Sequence, residues 1–206
     1  MRTLVIDSAT EACSVALFEG GTLLAGDFRV LGRGHAEALV PMIAALPARG
    51  QAQRIAVSLG PGSFTGLRVG LAAARALALA WGAELVGYPT LALIAAQVIA
   101  ERNGDGVTVC MTGGHGEWFV QDFGADAAAL GDLASLAPDQ AAARAGRALV
   151  AGTQAEALVR LRGSGEAIAA LPDARRFALL PSQAITPDTA LIYGRPPDAR
   201  LPEAAR

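Results

Sequence analysis

Three apolar segments stand one after another at the start of the chain with only tight turns between them, before any helical spacing appears. Alternating apolar residues over 3–7 predict a first strand and those over 13–18 a second, joined by the polar turn Ser8-Ala9-Thr10-Glu11. Gly20-Gly21 supplies the positive φ angles of a hairpin turn into a third strand over 22–30. An opening meander of this kind counts against the usual dinucleotide-binding fold, which begins βαβ.

Gly32-Arg33-Gly34 breaks the meander. His35, Leu39, Met42, Ile43 and Leu46 then recur at helical spacing until Pro47 and Gly50 end the helix. Pro41 inside that pattern predicts a kink or a lost hydrogen bond. A strand over 54–59 leads into the turn Gly60-Pro61-Gly62-Ser63 and an Ala- and Leu-rich helix over 65–81. A strand over 83–87 and a helix capped by Thr90 and running to Arg102 complete the order β-β-β-α-β-α-β-α, a mixed α/β chain. Asn103-Gly104-Asp105-Gly106 reads as a boundary between a first lobe, 1–102, and a second, 103–206. In the second half, 107–111 and 117–123 predict a hairpin about Gly113 and Gly114, followed by two short helices around a strand near Leu149 and Val150. The sequence shows no internal repeat.

Composition narrows the chemistry. All 17 basic residues are arginine. Without lysine there is no Walker-A phosphate loop and no Schiff-base chemistry. A net charge of −2 with scattered Arg gives no basic stripe, which argues against autonomous binding to a nucleic-acid backbone. Cys13 and Cys110 form no CxxC pair, and His35 and His115 lie far apart, so no metal site is expected. Unpaired cysteines and the lack of a signal or long uninterrupted apolar stretch point to a cytoplasmic protein without a membrane segment.

The segment Gly60-Pro61-Gly62-Ser63-Phe64-Thr65-Gly66-Leu67-Arg68-Val69-Gly70 is a glycine-rich turn between a strand and a helix. Backbone amides at such a helix start can hold an anion; the alternative is that the glycines permit a tight turn and close packing. Gly66, Gly70 and Ala74 fall four apart on one helix face, with Ala73 and Leu77 alongside. That face suits either a partner helix or the chain's own sheet. Asp7, Ser8 and Thr10 end the first strand, where they can surround a phosphate or hydrated metal or simply form local turns.

Two stretches, IDSATEACSVAL over 6–17 and GPGSFTGLRVG over 60–70, together resemble the TsaB (YeaZ) family. Arg33-Gly34-His35-Ala36-Glu37 and Tyr193-Gly194-Arg195-Pro196-Pro197 are similar to two further family segments, and the resemblance is strong over roughly residues 1–100. It implies an actin-like, Hsp70-like ATPase fold of two ribonuclease-H-like lobes, the second reduced. It further implies a non-catalytic partner of TsaD, the subunit that transfers threonylcarbamoyl from its adenylate to N6 of the adenosine next to the tRNA anticodon. TsaE, an ATPase, binds the pair. The family's interface lies on the first two helices, which here places it at Leu39, Met42, Ile43, Gly66, Gly70, Ala73, Ala74 and Leu77. The same helices would pair two copies when the chain is alone, tRNA would be met only through the complex, and ATP or ADP would bind at the complex at most. Where the family has an Asp and an Arg in the second lobe, this chain has Thr112 and Gly114. The competing reading is a nucleotide-binding phosphotransferase or hydrolase of the actin-like fold, with Asp7, Ser8 and Thr10 around the phosphates.

Overall fold

The computed structural model describes residues 1–102 and 104–194. Asn103 of the expected boundary, and Arg195, Pro196 and Pro197 of the C-terminal segment, lie outside the described residues. The first sheet holds β1 (Arg2–Asp7), β2 (Ala12–Glu19), β3 (Thr22–Val30), β4 (Arg54–Ser58) and β5 (Glu84–Tyr88), in the order β3-β2-β1-β4-β5. The meander is antiparallel, while β4 and β5 run parallel to β1. Gly20 and Gly21 adopt φ of 57° and 86° at the predicted hairpin turn.

The helices of this half are α1 (His35–Ala45), α2 (Phe64–Trp81) and α3 (Thr90–Arg102). α1 continues through Pro41, whose missing N–H leaves the Glu37 carbonyl without its helical donor. α2 is long and apolar enough to cross a bilayer by length and composition, a test that core helices also pass; its buried face packs on β4 and β1. Thr90 is the first residue of α3 rather than its cap, and its hydroxyl lies 2.6 Å from that of Ser58.

The second half repeats the topology of the first. Its sheet holds β6 (Gly106–Thr112), β7 (Trp118–Gly124), β8 (Ala134–Leu136), β9 (Leu149–Ala151) and β10 (Glu166–Ile168), ordered β10-β9-β6-β7-β8. Counted within its own half, each sheet therefore has the strand order 3-2-1-4-5 read from one edge or the other, the ribonuclease-H-like order, although no sequence repeat announces it. The second copy is smaller. β8, β9 and β10 have three residues each, and α4 (Pro138–Arg144) and α5 (Ala155–Arg162) have seven and eight, against 11 and 18 for α1 and α2. This is the two-lobed actin-like architecture with a reduced second lobe.

Strand alternation sorts the side chains into layers. Leu4, Ile6, Val15, Leu17, Ile55 and Val57 face α1 and α2. Val5, Ala16, Phe18, Ala56, Val86 and Tyr88 face the other way, onto α3, which also meets Val107, Val109, Phe119 and Phe123 of the second sheet. α3 is therefore apolar on nearly every face because it lies between two sheets, buried from Thr90 to Ile99. A third cluster, with Cys110, Val120, Val150 and Leu158, joins the far face of the second sheet to α4 and α5.

Candidate functional site: the cleft, its glycine clasp and the outer helices

The turn after β1 and the start of α2 are locked together. Ser63 donates its backbone N–H to the Ala9 carbonyl at 2.6 Å, and the Ser8 hydroxyl donates to the Gly66 carbonyl at 2.9 Å. A Cβ at Gly62 would overlap the Ala9 carbonyl, and one at Gly66 the Ser8 carbonyl. These two glycines are thus required by close backbone approach. The Ser63 hydroxyl accepts from the Gly66 N–H at 3.3 Å and caps the helix. Two of the N–H groups at the start of α2 are thus taken by the chain itself, that of Ser63 by the Ala9 carbonyl and that of Gly66 by the Ser63 hydroxyl. Arg68, the cation of the block, lies 3.6 Å from the centroid of the Phe64 ring and donates to the Tyr193 hydroxyl at 3.4 Å.

Asp7, Ser8 and Thr10 converge less than the phosphate reading requires. Asp7 is 1% exposed; its Oδ1 accepts from the Ala9 N–H at 3.0 Å and its Oδ2 from the Tyr88 hydroxyl at 3.2 Å. Burial is the largest influence on this carboxyl and raises it to about 7, against the partial relief of those hydrogen bonds. Thr10 accepts from the Ala12 N–H at 3.2 Å, a local turn. Of the three, only Thr10 reaches the cleft.

That cleft, about 1340 Å³, opens between the two halves. Thr10, Arg33, His35 and Glu37 line it from one side, Phe64 and Arg68 from the start of α2, and Thr112, Gly114, His115 and Thr153 from the other side. His35 Nε2 donates to the Ala12 carbonyl at 3.2 Å, which fixes the ring against β2. Thr112, in the place of the family's Asp, is held by Thr153 and by the Gln154 amide, which donates to it at 2.8 Å. Glu117 accepts from the Ser135 hydroxyl at 2.7 Å. Among the described residues no group of three His, Cys, Asp or Glu is placed to hold a metal ion.

The residues assigned to a partner face need correction. Leu39, Met42 and Ile43 are buried against the first sheet. Gly66, Gly70 and Ala74 are buried as well, with Gly70 close over Ser8, Ile6 and Val57. Small residues spaced by four serve here to bring α2 down onto its own sheet. Ala73 and Leu77 are half-buried and border the opposite face. That outer face presents Ala72, Ala76, Leu79 and Ala80 of α2, and Val40, Pro41 and Ala44 of the adjoining α1, all exposed. Leu79 is 87% exposed and Val40 61%. These are the residues that helical spacing alone could not separate from the buried set.

The family model for TsaD, tRNA N6-adenosine threonylcarbamoyltransferase, matches residues 29–182. A crystal structure of an uncharacterized protein with similarity to peptidase YEAZ from Pseudomonas aeruginosa superposes with a TM-score of 0.79 at 27% identity, over 94% of this chain and 99% of that one. YeaZ from Pseudomonas aeruginosa gives 0.75 at 28% identity, over 85% and 87%. The tRNA threonylcarbamoyladenosine biosynthesis protein TsaB of Escherichia coli (strain K12) is 41% identical over 109 residues, 50% of this chain and 46% of that protein. The chain belongs to the TsaB/YeaZ family. The matched segments span 46% and 39% of the length of the curated TsaB relatives. Family membership fits the glycine clasp: GPGSFTGLRVG is here a packing element.

Proposed function

We propose that this chain is a non-catalytic partner subunit in the biosynthesis of threonylcarbamoyladenosine in tRNA, docking TsaD through the outer face of α1 and α2. The observation that carries this reading is Leu79, 87% exposed among Ala72, Ala76 and Ala80 on a helix whose other face is already packed. Apolar surface of this kind is stabilised when a partner removes it from water. TsaE joins the pair, tRNA is met only through the complex, and a copy without TsaD pairs with a second copy by the same face. The protein works in the cytoplasm, away from membranes. The Ala9 carbonyl seated against the start of α2 and the turn-bound Asp7 and Thr10 support a subunit without its own phosphate chemistry. Co-expression tests the reading: the chain co-purifies with TsaD, and its depletion lowers threonylcarbamoyladenosine in tRNA. No stable complex, or unchanged modification, contradicts it.

The cleft favours a second reading, nucleotide binding, since its volume can admit a ligand of that size. Titration calorimetry with ATP and magnesium separates the two.

A further inference from the structure

Apart from His35, the charged side chains of α1 and α2 are Glu37, Arg68 and Arg75, all exposed. Arg68 stands four residues before Ala72, and Arg75 four before Leu79, so both border the exposed apolar stripe of α2. With Phe64 they form one edge of that stripe, while Val69 and Ala73 fall on the other. Glu37 precedes Val40 and Pro41 on the outer side of α1. Among the described residues neither arginine forms an ion pair with a carboxylate.

The arginine edge is held from outside by the stretch 186–194. Thr186 exchanges hydrogen bonds with Gly87 of β5 at 2.9 and 2.8 Å, and Ile192 donates its N–H to the Leu59 carbonyl at 2.8 Å. Along the way Arg75 donates to the Thr189 hydroxyl at 3.3 Å and Arg68 to the Tyr193 hydroxyl at 3.4 Å. The Tyr193 ring lies 5.5 Å from that of Phe64, which Arg68 also covers. The stretch therefore runs antiparallel to α2: two helical turns between the arginines rise about 10 Å, and four extended residues from 189 to 193 cover about 13 Å. Each guanidinium is tethered through a neutral hydroxyl. Its charge stays uncompensated, and most of its N–H donors stay open. A side chain already positioned loses less entropy when a carboxylate arrives.

The next step rests on the reading that this outer face docks TsaD. One carboxylate and two guanidiniums give the face a net positive charge. A second copy would bring a like-charged face, and by two-fold symmetry each Glu37 would serve two arginines of the other copy. A helix with two carboxylates about two turns apart can meet both arginines, each through paired N–H donors. We propose that Arg68 and Arg75 are a tethered cationic edge that takes such an acidic helix of TsaD, and so selects the mixed complex over pairing of two copies.

The test uses the full chain and TsaD from the same organism, with Arg68→Gln and Arg75→Gln singly and together. TsaD affinity is measured by calorimetry at about 50 mM and about 500 mM salt, since screening weakens exposed ion pairs. Self-association is measured by sedimentation equilibrium on the same samples. Each single variant weakens TsaD binding about fivefold at low salt, the double variant loses most of the salt dependence, and self-association holds or tightens. Thr189→Val and Tyr193→Phe, which free the guanidiniums without removing charge, weaken binding less and keep the salt dependence. Native TsaD affinity in the double arginine variant, with binding lost in Leu79→Asp, overturns the charged edge and leaves the docking face standing. Binding unaffected by Leu79→Asp removes the docking face and this inference with it. Equal weakening of the mixed complex and of self-association overturns the selection.

Discussion

The backbone N–H of Ser63 reaches the carbonyl of Ala9 at 2.6 Å, which seats the first hairpin turn in the mouth of the longest helix. Gly62 and Gly66 permit this approach, since the atoms they would strike are backbone oxygens that no side-chain rotation can move. Gly62→Ala and Gly66→Ala are each expected to lower stability by about 3 kcal/mol. At Gly70 the neighbour is the rotatable Ser8 hydroxyl, and an added methyl also gains helix propensity. Gly70→Ala therefore stays within about 1 kcal/mol of the native protein. Urea denaturation of the three variants checks the ranking.

Stability falls as pH rises from about 4 to about 7. The Asp7 carboxyl, ordinarily at 3.8, is raised to about 7 in the fold, so within that window the native state binds the proton that the unfolded chain has lost. Stability from this group is complete below the lower value and is lost as pH passes the upper one, at about 1.4 kcal/mol per pH unit at the steepest. Asp7→Asn flattens the slope. Denaturant midpoints measured across the window report it directly, and an unchanged slope in the variant would assign the effect to another group.

Both thiols should be silent in the native state. Burial pushes Cys13 up to about 11, with the charges of Asp7 and Asp27 adding to it, and Cys110 up to about 12. A thiol-reactive reagent at neutral pH modifies neither until denaturant is added, and then modifies both. Rapid modification of folded protein would show that one of the two strands opens.

Calorimetry with ATP and magnesium is expected to show no tight binding, because the Ala9 carbonyl lies against the start of α2 on the Ser63 N–H and the Ser63 hydroxyl already takes the Gly66 N–H. Tight binding that Asp7→Ala abolishes would favour the phosphotransferase or hydrolase reading instead.

The elements of the first half were legible because each is long enough to show its period: α3 ends where the sequence places it and begins at its expected cap, and the predicted ends of α2 and the meander shift by one residue at most. The three-residue strands β8 and β10 were not legible, since three residues do not complete a recognisable alternation. That the residues expected on a partner face are mostly buried has a physical reason. Gly66, Gly70 and Ala74 satisfy the spacing for close approach to a helix and to a sheet equally well, and only the fold shows β1 and β4 beneath them. The surroundings of Asp7 were invisible for another: Ser14, Ser58 and Tyr88 come from three different strands and meet it only through sheet pairing.

The central claim is that the outer face of α1 and α2 docks TsaD. Leu79→Asp puts a charge at its most exposed apolar point, while Leu161→Asp does the same on α5, where Leu161 is 50% exposed. Affinity for TsaD, measured by calorimetry on correctly folded variants, should fall by about 2 kcal/mol or more for Leu79→Asp, roughly thirtyfold, and stay at the native value for Leu161→Asp. Native affinity in Leu79→Asp, or equal loss in both, would contradict the account.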